Sequence, residues 1–377
     1  MCRVSLSIIL FFSLLAYAVP QVNAADFQKG FEASQKGDYA IAIQEWTPLA
    51  EQGDINAIYN LGYLYDIIKE VQDYKKAAYW YTKAAEQGHA RAQYNLGYMY
   101  SEGKGGPKDY KKAFSWYSKA AIQGHANAQY NLGDMYERGE GVTQDYKEAS
   151  WWYTKAAEQG LAIAQYNLGY LYEKGEGVTQ DYEEAIRWYS KAAGQDLVVA
   201  FYNLGNINYQ GKGTPQDYEQ AASLFTEAAQ HGHTDSQYNI GVMYNLGQGV
   251  QQDDKEAASW FTKAAEQGHA DAQNNLALKY YTGEGVRQDF TKAAYWYTKA
   301  AEQGIISAQC NLGIMYAKGE GVVQDLIQAY AWFDVSTAKG DEKNKQNRDQ
   351  AAGVLSPKRL AEAKKLAAQI KQKIKQK

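Results

Sequence analysis

The triplet Asn-Leu-Gly, or a near variant, returns at Asn60, Asn95, Asn131, Asn167, Asn203, Asn239, Asn275 and Asn311, with one spacing of 35 residues and six of 36. A period of this size marks a solenoid, in which each repeat is a supersecondary unit that buries its apolar face only against its neighbours. A chain of 377 residues could make two or three globular domains, but the repeat predicts one elongated body instead. Most of the 33 tyrosines are a few repeat positions copied along the chain, so they call for no chemistry of their own.

The unit from Ala90 to His125 shows how the sequence encodes each repeat. Ala90 to about Glu102 is a predicted helix, with Ala92, Leu96, Gly97 and Tyr100 spaced to share one side. Gly103 and Gly105 end it, because glycine tolerates positive φ at a helix terminus. Asp109 stands where an N-cap belongs, its carboxylate able to accept a backbone N–H one turn inside. The same Asp recurs at Asp73, Asp145, Asp181, Asp217, Asp253, Asp289 and Asp325; at Asp145, Asp181 and Asp253 a Glu follows three residues later, as in a capping box. The second helix carries Ala113, Trp116, Tyr117, Ala120 and Ala121 and stops at Gly124. Small residues let helices approach while the aromatics fill the space between layers. The Trp-aromatic pair recurs from Trp80-Tyr81 to Trp332-Phe333, with Leu224-Phe225 the exception, and its constant phase reads as core and not as a cofactor box.

The run AQYNLGYMYSEGKGGPKDYKKAFSWYSKAAIQGHA, with the turn ERGEGVTQDY ending at Tyr146, resembles the Sel-one-like repeat, a relative of the tetratricopeptide repeat. The match covers residues 53–340 in eight copies. The resemblance implies an all-α fold: a right-handed superhelical solenoid of stacked antiparallel helix pairs. Residues 25–52 read as an N-terminal capping pair with the short turn Lys36-Gly37-Asp38. The first repeat has Ile67-Ile68-Lys69 in place of Gly-x-Gly, so its loop is expected to differ. Residues 341–377 read as C-terminal capping helices with a basic tail, the last helix opening at Ser356-Pro357.

Residues 1–24 read as a signal peptide: Arg3, an apolar stretch from Ile8 to Ala18, then Val22-Asn23-Ala24 before a cut. The stretch is shorter than the ~20 residues that span a bilayer, and no later segment qualifies, so no transmembrane span is expected. The protein is expected to be exported, to the periplasm or else secreted. Cleavage would remove Cys2 and leave Cys310 alone, so stability must come from packing without an internal disulfide. Cys310 stands in a slot that is Tyr in six other repeats and reads as a half-buried thiol.

Charge is uneven. Residues 25–340 hold 27 Lys and Arg against 39 Asp and Glu, a net of −12, whereas residues 341–377 hold 11 against 4, a net of +7. An acidic body argues against nucleic acid as a partner. The tail, ending in Lys371, Lys373, Lys375 and Lys377, reads as a solvated final helix, with contact to an anionic surface as the alternative.

Candidates for chemistry do not assemble. Some members of the resembling family are associated with β-lactamase activity, and Ser-x-x-Lys occurs at Ser101–Lys104 and Ser336–Lys339, but no Ser-Asp-Asn or Lys-Thr-Gly accompanies either. His89, His125, His233 and His269 recur one per repeat; helix layers ~8–10 Å apart keep them off one ion, since Zn–N bonds are ~2.0–2.1 Å. The Gly-x-Gly turns lack the strand-before-helix context of a phosphate loop. No catalytic residue, cofactor or metal is therefore assigned.

What remains is a surface. In tetratricopeptide relatives the first helix of each pair lines the concave face, which carried over gives Arg91, Tyr94, Tyr98, Ser101 and Glu102 in the second repeat. One position repeats as a ladder, Tyr59, Tyr94, Tyr130, Tyr166, Tyr202 and Tyr238, then becomes Asn274 and Cys310. It reads either as a contact stripe or as packing between adjacent first helices. The next position varies: Tyr63, Tyr98, Asp134, Tyr170, Asn206, Val242, Leu278 and Ile314. Tyrosine suits recognition, being rigid and amphipathic. The sequence therefore predicts an exported, non-enzymatic scaffold binding other proteins of unknown identity through the concave face, with Arg91, Tyr94, Tyr98, Tyr130, Asp134, Tyr166, Tyr170, Tyr202 and Tyr238 as partner-binding residues. The alternatives are binding of a cell-envelope glycan, polysaccharide or peptidoglycan strand, and, more remotely, a β-lactamase-like hydrolase.

Overall fold

The computed structural model describes residues 25–337 and 342–376. Residues 1–24, read above as a signal peptide, and the junction at 338–341 lie outside the described residues. The described residues form helices and no strand, in two compact units that divide after Gln144. In the first unit, α1 (Phe27–Gln35), α3 (Ile55–Ile67), α5 (Ala90–Glu102) and α7 (Ala126–Arg138) are first helices of pairs. The second helices α2 (Tyr39–Glu51), α4 (Tyr74–Glu86) and α6 (Tyr110–Ile122) alternate with them, and each helix packs on the next in solenoid fashion.

The second unit repeats the plan. Its second helices are α8 (Tyr146–Glu158), α10 (Tyr182–Ala193), α12 (Tyr218–Gln230), α14 (Asp254–Glu266), α16 (Phe290–Ala301) and α18 (Leu326–Ser336). Its first helices are α9 (Ala162–Lys174), α11 (Val198–Gln210), α13 (Thr234–Leu246), α15 (Ala270–Thr282) and α17 (Ile306–Lys318). Two more helices, α19 (Glu342–Val354) and α20 (Pro357–Lys375), pack against α18. No helix of the described residues is long and apolar enough to cross a membrane.

The recurring residues are explained by contacts within and between repeats. The second-helix Tyr or Phe lies on the glycine of Asn-Leu-Gly: a Cβ at Gly97 would stand 2.7 Å from Tyr117 Cδ1, and Gly62, Gly169, Gly205, Gly241 and Gly313 meet Tyr81, Tyr189, Phe225, Phe261 and Phe333 in the same way. This second aromatic is the deep one of the pair; Trp116, Trp152 and Trp296 are only partly buried. The asparagine reaches back to the preceding repeat, the Asn95 amide lying near the hydroxyls of Tyr59 and Tyr81, and Asn131 near those of Tyr94 and Tyr117. A buried glutamine does the same for helix ends: Gln93 Nε2 donates to the Ala85 carbonyl at 3.0 Å, and its Oε1 accepts from Gln123 at 2.7 Å.

The caps follow the sequence. Asp109 accepts from the Lys112 N–H at 3.0 Å, and Asp145 from Lys147 and Glu148 at 2.8 and 3.2 Å. Gly103 closes α5 in the left-handed region at φ 71°, while Gly105 (φ 78°) lies against the Tyr74 carbonyl, where a side chain has no room. In the first repeat α3 instead ends on Ile68 in extended conformation, and Gln72 Nε2 closes the turn on the Asp66 carbonyl at 2.8 Å.

The four histidines of the repeats are helix caps. Nδ1 of His89, His125, His233 and His269 accepts from the first turn of its own helix at 3.1–3.3 Å. Lys279 occupies a core position that is Met in α5, α7, α13 and α17 and is itself buried; its ammonium is held by Asp254 at 2.7 Å and Glu284 at 3.2 Å. The basic C-terminal helix packs against the solenoid. Ala363 and Ala367 are buried, Ile370 and Ile374 pack against the last repeats, Lys371 pairs with Asp334 at 2.8 Å and Lys373 with Glu302 at 2.9 Å.

Candidate functional site

The ladder tyrosines are half-buried. Tyr59, Tyr94, Tyr202 and Tyr238 each lie on the N-cap imidazole of the next first helix, with ring centres 4.4–4.7 Å apart. Tyr166 packs, as Leu197 does, against the buried cluster around Tyr189 and Leu204, and accepts from Asn203 Nδ2 at 3.4 Å. Burial pushes the phenols of Tyr59, Tyr94, Tyr166 and Tyr238 above the usual tyrosine range. Tyr130 holds the same half-buried position on α7. Each ring of the ladder therefore spends one face inside the stack.

One helical turn further along, the side chains emerge. Tyr63 is 43% exposed and Tyr98 39%. Phe31, 41% exposed, belongs to the same row: Gly30 meets Trp46 as Gly62 meets Tyr81, so Phe31 is the counterpart of Tyr63 one pair earlier. Sequence reasoning missed Phe31 because the short first turn puts it out of phase with the period; the dipeptide Gly30-Phe31 was the signal. The first unit thus carries exposed rings on three consecutive first helices.

Pockets separate these helices. One of about 440 Å³ lies between α1 and α3, lined by Phe31, Tyr39, Tyr59, Tyr63 and Ile68, with Arg91 at its edge. Another of about 360 Å³ lies between α5 and α7, where Tyr98, Glu102, Lys108, Asp134 and Arg138 surround a floor made by Tyr117. The structure thus brings Tyr98 and Asp134 together, with Asp134 paired to Arg138 at 3.0 Å, and places Arg91 beside Tyr63. In the second unit Tyr170 is half-buried, with the Lys174 ammonium 5.3 Å from its ring centre. Val242 and Ile314 line smaller pockets of about 210 and 270 Å³ over Phe225 and Phe333.

The described residues of the Ser-x-x-Lys pairs are engaged elsewhere, Lys339 lying outside the described residues. Ser101 Oγ donates to the Tyr98 carbonyl at 3.0 Å while the Lys104 ammonium lies over Tyr98 and Tyr74. Ser336 Oγ donates to the Phe333 carbonyl at 2.7 Å. Cys310 is half-buried and its sulfur accepts from Asn347 Nδ2 at 3.7 Å.

The Sel1 repeat model matches residues 55–89, 90–125, 126–161, 162–197, 199–233, 234–269, 270–305 and 306–341. The chain belongs to the Sel1 repeat family. Two solved structures are similar over most of the molecule. A protective antigen present in uropathogenic Escherichia coli strains, displaying an SLR fold, is 34% identical over 92% of this chain and 84% of its own, with a TM-score of 0.63. A Sel1 repeat protein from Oxalobacter formigenes is 34% identical over 85% of this chain and 93% of its own, with a TM-score of 0.65. No curated protein matches the sequence. The Sel1 repeat solenoid is a scaffold fold typically used for protein–protein interaction and generally non-catalytic.

Proposed function

We propose that this Sel1 repeat protein is an exported scaffold that binds a protein partner along the first helices of its N-terminal unit. The observation that carries this reading is the row Phe31, Tyr63 and Tyr98, exposed on α1, α3 and α5 and flanked by pockets of about 440 and 360 Å³. Rigid aromatic rings beside pockets are what interface hot spots are made of. The ladder beneath them, Tyr59 and Tyr94, fixes the helix spacing and lends only its outer edge. Export rests on the leader-like residues 1–24.

The test is capture of partners from cells expressing tagged protein, comparing wild type with a Phe31→Ala, Tyr63→Ala, Tyr98→Ala triple variant. The rings are solvent-exposed, so the variant should keep its helicity and melting midpoint while the partner is lost. Undiminished capture by a folded variant would overturn the reading.

A further inference from the structure

Between the first and second repeats the partner surface contains an unsatisfied anion. Asp66, on α3 three residues after Tyr63, is only 5% exposed, and among the described residues its Oδ1 is the one buried side-chain oxygen or nitrogen without a hydrogen-bond partner. Its Oδ2 has only a long bond, 3.4 Å, from the Tyr81 hydroxyl. The nearby cation stops short of it. Lys104, in the turn after α5, places its ammonium 4.8 Å from the centre of the Tyr98 ring and 5.3 Å from that of Tyr74.

Two corresponding places in the second unit are closed. Tyr209 donates to Gln248 at 3.0 Å and Tyr281 to Glu320 at 2.9 Å, each joining one first helix to the turn of the next repeat. Asp66 and Lys104 occupy the matching positions and make no such bond. A buried carboxylate left unpaired costs stability, and burial holds the Asp66 carboxyl above the usual carboxylate range. The Lys104 charge acts on Asp66 while its ammonium lies over the faces of Tyr98 and Tyr74, so the place combines a carboxylate with rings that attract a cation through their negative faces.

We propose that this place takes the guanidinium of an arginine from a basic segment of the protein partner, seated between the Tyr98 ring and the Asp66 carboxylate, with Lys104 swinging out to solvent. The proposal deepens the scaffold reading and rests on it. Arginine fits better than lysine because its planar group stacks on a ring while forking onto both carboxylate oxygens. The unit that carries this face is close to neutral, with 13 Lys and Arg against 15 Asp and Glu in residues 25–144, so the attraction for a basic segment is the local one of the Asp66 carboxylate.

The experiment is ligand-observed NMR titration of the full chain with two acetylated Gly/Ser decapeptides, one with a central arginine and one with citrulline, its neutral isostere. Wild type should bind the arginine peptide at least tenfold more tightly than the citrulline peptide. Asp66→Asn should erase that preference at unchanged melting behaviour or better, and Lys104→Gln should strengthen arginine binding severalfold by removing the resident cation. Equal binding of the two peptides by wild type, no binding of either, or a preference that survives Asp66→Asn overturns the proposal. Loss of partner capture in the Phe31/Tyr63/Tyr98 variant beside such a result would leave the scaffold reading standing. An arginine preference beside undiminished capture would overturn that reading and keep the cation site.

Discussion

Trp116 and Tyr117 are neighbours on α6, and the structure reverses the order of cost that their sizes suggest. Tyr117 is 2% exposed, its ring lies on Gly97, and its hydroxyl meets Ser101 Oγ at 3.4 Å and the side chain of Asn131. Truncating a buried aromatic to alanine costs about 3–5 kcal/mol; because the truncation also strips Ser101 of a hydrogen-bond partner, we expect Tyr117→Ala at about 4–5 kcal/mol. Trp116 is partly exposed, with the Lys119 ammonium 3.9 Å from its ring centre. Burying about half of a ~200 Å² side chain at ~25 cal/mol per Å² gives about 2.5 kcal/mol for Trp116→Ala. Urea unfolding followed by circular dichroism, read at equal slopes, measures both. Equal costs, or a larger cost at Trp116, would show that the second aromatic does not hold the repeat together.

Further outcomes follow from the caps and the buried carboxylate. Burial holds the imidazoles of His89, His125 and His233 below the usual histidine value, Arg91 adding to the effect at the first two. The unfolded chain then takes up protons first, near pH 6.5, so this stability is complete above that pH and is lost as pH falls below it toward the folded-state values; the melting midpoint should drop between pH 7.5 and 5.5, and less so in His89→Ala/His125→Ala. Asp66→Asn has the opposite sign: a raised folded pKa means the charged form destabilises at neutral pH, so the variant should melt higher at pH 7 with the gain shrinking in acid. N-terminal sequencing of cell-derived protein should begin near Ala25, and an intact Met1 in the cytosolic fraction would contradict export.

The period made the helix pairs, the Asp caps and the glycine turns legible, because each depends on residues close in sequence. Relations between repeats were not. The roles of Asn95 and Gln93 are set by groups in the preceding repeat, such as Tyr59, Tyr81 and the Ala85 carbonyl, and by Gln123 in the helix that follows. Adjacent aromatics such as Trp116 and Tyr117 both fall on the inward arc of a helix, so only the bare surface of Gly97 decides which goes deeper. The basic tail could have been read as packed from Ala363, Ala367, Ile370 and Ile374 at helical spacing, a signal masked by its lysines. At the candidate site the sequence named Tyr98 and Asp134, which share a pocket, yet gave equal weight to Tyr94, whose ring is spent on His125.

The central claim is that the first-helix row, and not some other exposed aromatic, meets the partner. Tyr79 on α4 is an internal control: it is 52% exposed, more than Tyr98, but lies on a second helix against Trp80. A photo-crosslinking amino acid placed at position 98 or at position 79 in living cells, with adducts identified by mass spectrometry, compares the two faces directly. Adducts to a protein partner from position 98 and none from position 79 are the predicted result; adducts from position 79 alone would contradict the account.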